Sequence, residues 1–167
     1  VYARLADGTL LLIRPIRPDD KGLLADGIAR LSQRTLTRRF LSPKTRLSPA
    51  ELRYLTEVDG HDHVAYVALT AGDPRHLVAV GRWVRSRERP RVAEVAFVVG
   101  DSWQGRGVGS LLAAALADEA HFRGISCFTA TMQADNLPAH RLMEKLTDRL
   151  WSRRDGPVNE LTVDLAA

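Results

Sequence analysis

A single cysteine, Cys127, stands in 167 residues, so no disulfide can form within the chain and nothing in the composition asks for an oxidising compartment. No apolar run approaches the roughly 20 residues that a helix needs to span a bilayer. The N-terminal stretch also lacks the charged, apolar and small-residue succession of a secretory signal. These absences predict a cytoplasmic protein without a membrane partner. Metal-ligand spacing is scarce too: the nearest approach is His61-Asp62-His63, two histidines two apart with no cysteine or histidine cluster to complete them. No metal is expected, and the pair reads as loop residues near a substrate entrance.

The positive charge is not concentrated either. A formal +4 and a pI of 9.7 come mainly from arginines scattered between Arg4 and Arg154. That scatter weakens a nucleic-acid reading, and clusters such as Arg38-Arg39 and Arg153-Arg154 read as solvated faces. What is present is the balance of a globular protein, 45% apolar and 26% charged, and the length fits one domain spanning residues 1–167.

The order of elements follows from periodicity and punctuation. Thr9 to Ile16 is a branched, apolar run stopped by Pro15 and Pro18, which predicts a strand. From Asp19 the apolar residues Leu23, Leu24, Ile28 and Leu31 recur at helical spacing, with Asp19 or Asp20 as cap. Ser48-Pro49-Ala50-Glu51 carries a capping serine, a proline at the first helical position and a glutamate three residues on, which starts a second helix. His63 to Thr70, Leu77 to Val84 and Val92 to Val99 are short valine-rich runs separated by Gly72-Asp73-Pro74 and by a polar turn from Ser86 to Arg91. They predict an antiparallel meander. A helix from Gly107 to Gly124, a strand from Ile125 to Thr131, a helix from Leu137 to Leu146 and a strand from Val158 to Leu165 complete the order β-α-α-β-β-β-α-β-α-β, a mixed sheet with helices packed on it. Trp83, Trp103 and Cys127 read as packing residues.

Between the last meander strand and the next helix lies Trp103-Gln104-Gly105-Arg106-Gly107-Val108-Gly109-Ser110. Unpaired amides at a helix start, with glycines that let the backbone approach, form a nest for phosphate, and Arg106 offers a charge-assisted contact. Two common phosphate loops are excluded. There is no Gly-Lys-Ser/Thr, and the spacing is Gly-x-Gly-x-Gly rather than Gly-x-Gly-x-x-Gly, with no acid between Ile125 and Thr131.

The pattern Gln104-x-x-Gly107-x-Gly109 resembles the Gln/Arg-x-x-Gly-x-Gly/Ala signature of the GNAT N-acetyltransferase superfamily. The whole order of elements resembles that fold, and Asn136-x-x-Ala139 with Leu142-x-Glu144-Lys145 resembles its second cofactor motif. A narrower resemblance, to Pat-like bacterial protein lysine acetyltransferases, is carried by Arg39-Phe40-Leu41, by Leu47-Ser48 with Glu51-Leu52, by Asp59 through His63-x-Ala65, and by Ala93 to Phe97. The resemblance implies an α/β fold with a mixed, mostly antiparallel twisted sheet flanked by helices. It implies acetyl-CoA as co-substrate, held by the backbone of Phe97, Val98 and Val99, by Gln104, Gly105, Arg106, Gly107, Val108, Gly109 and Ser110, and by Asn136 and Ala139. It also implies an amine acceptor, a protein lysine in the Pat-like group. Asn136 reads equally as the N-cap of the helix containing Pro138.

A lysine amine with a pKa near 10.4 must lose a proton before it attacks a thioester. Glu94 interrupts an apolar strand, and alternation puts it with Ala96 and Val98 on one face, opposite Val95, Phe97 and Val99. It is the candidate base, and the Pat-like resemblance implies the same role. The alternative for Glu94 is an ion pair with Arg82 on the neighbouring strand. An amide of Val98 or Val99 is implied as oxyanion donor. The chain departs from the family at Met143, where a tyrosine is usual, and at Lys145-Leu146-Thr147-Asp148. Three other readings stay open: a small amine as acceptor, a non-catalytic acyl-CoA sensor and, third, a nucleic-acid module.

Overall fold

The computed structural model describes residues 1–41, 46–73, 75–147 and 149–165. Pro74 of the expected turn and Asp148 of the divergent segment lie outside the described residues. Eight strands form one sheet: β1 (Tyr2–Arg4), β2 (Leu10–Pro15), β3 (His63–Thr70), β4 (Leu77–Arg85), β5 (Val92–Val99), β6 (Cys127–Gln133), β7 (Leu150–Asp155) and β8 (Val158–Asp164). Their spatial order is β1-β2-β3-β4-β5-β6-β8-β7. Every neighbouring pair is antiparallel except β5 and β6. That parallel pair is where the chain leaves the sheet and returns through a helix, as parallel strands require.

Among the described residues the α-helices are α1 (Lys21–Ala29), α2 (Gln33–Phe40), α3 (Pro49–Thr56), α4 (Val108–Phe122) and α5 (Leu137–Leu146). They cover both faces of the sheet, which is why β3 is buried along nearly its whole length. Its Ala65, Val67 and Leu69 pack with Leu24 and Ile28 of α1, Leu36 of α2 and Leu55 of α3. Its Val64 faces the other way, into a cluster with Trp83, Val95, Phe128, Leu116, Ala120 and Met143. Trp83 is fully buried, and its indole N–H donates to the Leu116 carbonyl at 3.1 Å, tying β4 to α4. Gly81 permits this contact. A Cβ there would lie 2.8 Å from both a Leu116 methyl and the Phe97 ring.

The meander, the α3 capping box and the α5 limits agree with expectation: Ser48 Oγ accepts from Glu51 N, and the Glu51 carboxylate accepts from Ser48 N. Three elements, β1, α2 and β7, were not expected. β1 has three residues, α2 has only Leu36 and Phe40 as apolar residues, and β7 is the polar edge strand Leu-Trp-Ser-Arg-Arg-Asp. None carries enough periodic apolar signal to be read alone. Asp20 also differs, since it precedes α1 without capping it. Its carboxylate is buried and accepts two bonds from the Arg14 guanidinium, at 2.7 and 2.8 Å, and one from Arg17 N.

Candidate active site

The parallel pairing of β5 with β6 is short. Val92 faces Cys127, Ala93 faces Phe128 and Glu94 faces Thr129, and there the ladder stops. Beyond Glu94, β5 continues beside β4 alone through Val99, so the sheet forks. Main-chain groups on the open side of β5 are left for a ligand. Gly100 N donates to Val78 O, so residues an even number of positions before Gly100 bond to β4 and the odd ones face the fork. The N–H of Val99 therefore faces the fork, and that of Val98 faces Val80.

On one side of the fork lies a cleft of about 400 Å³ between β5, the glycine turn, α4 and α5. Its walls include Phe97, Val98 and Val99 of β5, Gln104 to Gly109 apart from Arg106, Ser110, and Asn136 with Ala139. The turn gets its shape from Gly105 and Gly107, at φ of 75° and 92°, where a Cβ would be strained and the adjacent space is open. Gly107 caps α4, so the first amides of a 15-residue helix point toward the cleft. Gly109 serves packing: a Cβ there would come within 3.3 Å of Leu142 in α5. Gln104 Nε2 donates to Val99 O at 3.0 Å and to Thr35 Oγ1 at 3.3 Å, holding the end of β5 against α2. Asn136 is buried, caps α5 through a 3.4 Å bond from Ala139 N, and borders the cleft.

Arg106 is the one predicted cofactor residue that does not border the cleft. Its guanidinium pairs with Asp7 at 2.8 Å, donates to Thr9 Oγ1 and stacks 4.3 Å over Trp103, bracing the turn between β1 and β2. Among the described residues, the cations lining the cleft are Arg38 and Arg39 from the end of α2, and Arg141 and Lys145 one turn apart on α5. The last two were legible from their i,i+4 spacing. The first two depended on a helix that the sequence pattern does not reveal. The cleft's volume, its positive-φ glycines and its four cations suit a pyrophosphate-bearing ligand such as coenzyme A.

On the other side lies a pocket of about 600 Å³ lined by Glu94, Ala96, Arg39, Tyr54, Arg82 and Thr129, among others. Glu94 is exposed to it. Glu94 stands opposite Val84, and Arg82 stands opposite Ala96. Arg82 does not pair with Glu94. It is buried and donates to Leu55 O at 2.9 Å and to His63 Nε2 at 3.0 Å. Burial, with Arg39 nearby, pulls Arg82 down to about 9, which leaves it cationic at neutral pH. Burial and the Arg82 charge push His63 down to about 4, so it is neutral and accepts the bond from Arg82. Arg39 is lowered by burial too, with the charge of Glu94 acting against that shift.

Of the expected histidine pair, His63 turns inward and His61 stays at the surface. Burial disfavours the Asp59 charge, but three main-chain N–H bonds, from His61, Asp62 and His63, outweigh it and bring Asp59 to about 2. Met143 is fully buried in the core, and a thioether has no proton to give.

The profile of the acetyltransferase (GNAT) family matches residues 27–147. The acetyltransferase Pat of Mycolicibacterium smegmatis is 38% identical over 99% of this chain. The chain spans about half of that relative's length, 49%. The GNAT domain of S. lividans PAT superposes with a TM-score of 0.89 at 30% identity, covering 99% of this chain and 96% of that one. A more distant structure, yncA from Salmonella typhimurium with acetyl-CoA, shares the fold at a TM-score of 0.74 and 17% identity, over 93% of this chain and 94% of that one. No described helix is long and apolar enough to cross a membrane. With its forked sheet, its glycine turn and these relatives, the chain belongs to the GNAT acetyltransferase family.

Proposed function

We propose that this chain, as one GNAT domain over residues 1–167, moves the acetyl group of acetyl-CoA directly onto an amine, with a protein lysine as acceptor and Glu94 as general base. The observation that carries the reading is the fork. The β5–β6 ladder ends at Glu94, with a phosphate-suited cleft on one side and a separate pocket containing the carboxylate on the other. The cofactor's reactive end and the acceptor amine can then approach from opposite sides of β5 without competing for space.

In this mechanism Glu94, directly or through one water, takes the proton from the acceptor ammonium. The freed amine attacks the thioester carbonyl carbon and forms the C–N bond. The oxygen's developing charge is held by the N–H of Val99, which faces the fork. The C–S bond then breaks, the electron pair leaves with the coenzyme A sulfur, and the proton still carried by the new amide nitrogen passes through solvent to that sulfur. A thiolate with a pKa near 8.5 leaves without protein acid, consistent with Met143 at the place where the family usually has a tyrosine. The exposure of Glu94 helps here, because its proton can return to solvent between turnovers.

The motif resemblance to Pat-like protein lysine acetyltransferases supports a protein lysine over a small amine, and the reducing cytoplasm is the proposed setting. Steady-state acetyl transfer, with mass spectrometry of lysine-bearing proteins beside a panel of small amines, tests the proposal. Acetyl-CoA binding without turnover on any acceptor would favour the sensor reading. Turnover on small amines alone would move the acceptor class.

A further inference from the structure

Three cavities converge on one small void. The void has about 10 Å³ of room and is walled by Leu24, Ile28, Leu47, Leu55, Val80 and Val98, with Arg39 and Arg82 at its polar edge. It shares Arg39 and Val98 with the cofactor cleft. It shares Arg39, Leu55 and Arg82 with the acceptor pocket. The third cavity is a groove of about 530 Å³ between α1 and the ends of β4 and β5, and it shares Leu24, Ile28, Val80 and Val98 with the void.

On the acetyl-transfer reading, the carbonyl carbon must be reachable from the cleft and from the acceptor pocket at once. The group attached to it then projects to the point where those two cavities meet. We infer that this void is the acyl pocket, that its size restricts the enzyme to acetyl groups, and that Leu24, Ile28, Val80 and Val98 form the partition separating it from the groove. The inference rests on the acetyl-transfer reading and adds the acyl length and the residues that set it.

Ten cubic ångströms is about one water-sized or methyl-sized group. The walls cannot easily yield, since Leu24, Ile28 and Val80 are 3–4% exposed and packed in the core. A second or third acyl carbon must displace a wall atom, and overpacking a filled site is unfavourable. Beyond the partition there is ample room, so a longer chain is excluded by a wall about one side chain thick.

The test is kcat/KM for acetyl-, propionyl- and butyryl-CoA in the wild type, Ile28→Ala and Val80→Ala. Leu31→Ala serves as control, because Leu31 lines the groove and not the void. The wild type should fall about tenfold or more for each added methylene. Ile28→Ala joins void and groove, and should raise the butyryl-to-acetyl ratio about tenfold, with Val80→Ala acting in the same direction from the opposite wall. Leu31→Ala should leave the ratio where it was. If Ile28→Ala does not fold, Ile28→Val and Val80→Ala make the same comparison with smaller cavities. Equal use of butyryl-CoA by the wild type, or an unchanged ratio in folded partition variants, would overturn the acyl pocket. Absence of acetyl-CoA turnover in the wild type would instead overturn the transfer reading beneath it.

Discussion

On the α4 side of the fork, the cleft is walled by the glycine turn and the start of α4, by Phe97, Val98 and Val99, and by Gln104 and Asn136, with Arg38, Arg39, Arg141 and Lys145 also lining it. On the α2–α3 side, the pocket is walled by Arg39, Arg82, Tyr54, Glu94 and Thr129, and Arg82 is itself held by the neutral His63. The first cavity depends on backbone conformation, because amides and a helix dipole recognise phosphate whatever the neighbouring side chains are. The second depends on charges whose states are set by their neighbours. One strand, β5, serves both, offering its main chain to the cleft and the Glu94 side chain to the pocket. The difference teaches that chemistry and cofactor affinity are separable here, and substitutions should divide along the same line.

The largest expected effect is on the side-chain side. Glu94→Gln should lower kcat by about 10²- to 10⁴-fold while acetyl-CoA affinity, measured by calorimetry, stays the same. A parallel loss of affinity would show that the two cavities are not independent. Next is the acid limb of stability. His63 is held at about 4 in the fold, against about 6.5 in an unfolded chain, so the unfolded chain takes up its proton first. Stability is complete above about pH 6.5 and is lost as the pH falls toward 4, by about 3 kcal/mol. His63→Gln keeps an acceptor for Arg82 and removes the titration, so urea denaturation should show a flatter slope over that window.

A smaller effect crosses from the core to the cleft. Gly81→Ala drives a methyl against Leu116 and the Phe97 ring. It should cost about 1–3 kcal/mol in thermal or urea unfolding and raise the KM for acetyl-CoA through the displaced Phe97. The smallest is on the backbone side: Gly107→Ala forces a side chain into a φ of 92° at about 1 kcal/mol. It should weaken acetyl-CoA binding several-fold and leave kcat at saturation unchanged, the reverse of Glu94→Gln.

Much of the cleft was legible because local rules built it. Gly105 and Gly107 announce positive φ, Asn136 with Pro138 announces a cap, and the β5 alternation announces which face Glu94 takes. The place of the Arg106 side chain is not legible locally, because its partners, Asp7 and Thr9, are about a hundred positions away, and only the fold brings them within reach. The pocket was barely legible for the same reason, since Arg39, Tyr54, Arg82, Glu94 and Thr129 come from five separate elements. The alternative of an Arg82–Glu94 pair failed on register: Arg82 lies across from Ala96, and its guanidinium is taken by Leu55 and His63.

By itself the sequence determined the strands and helices with strong periodicity, the glycine turn and the face on which Glu94 lies, because each follows from backbone preferences over a few residues. Only the tertiary structure decided where β5 and β6 part, which cations border the cleft, that His63 is neutral, and that a methyl-sized void lies between the cavities. Those properties depend on distances and burial between segments far apart in the chain, which no local pattern encodes.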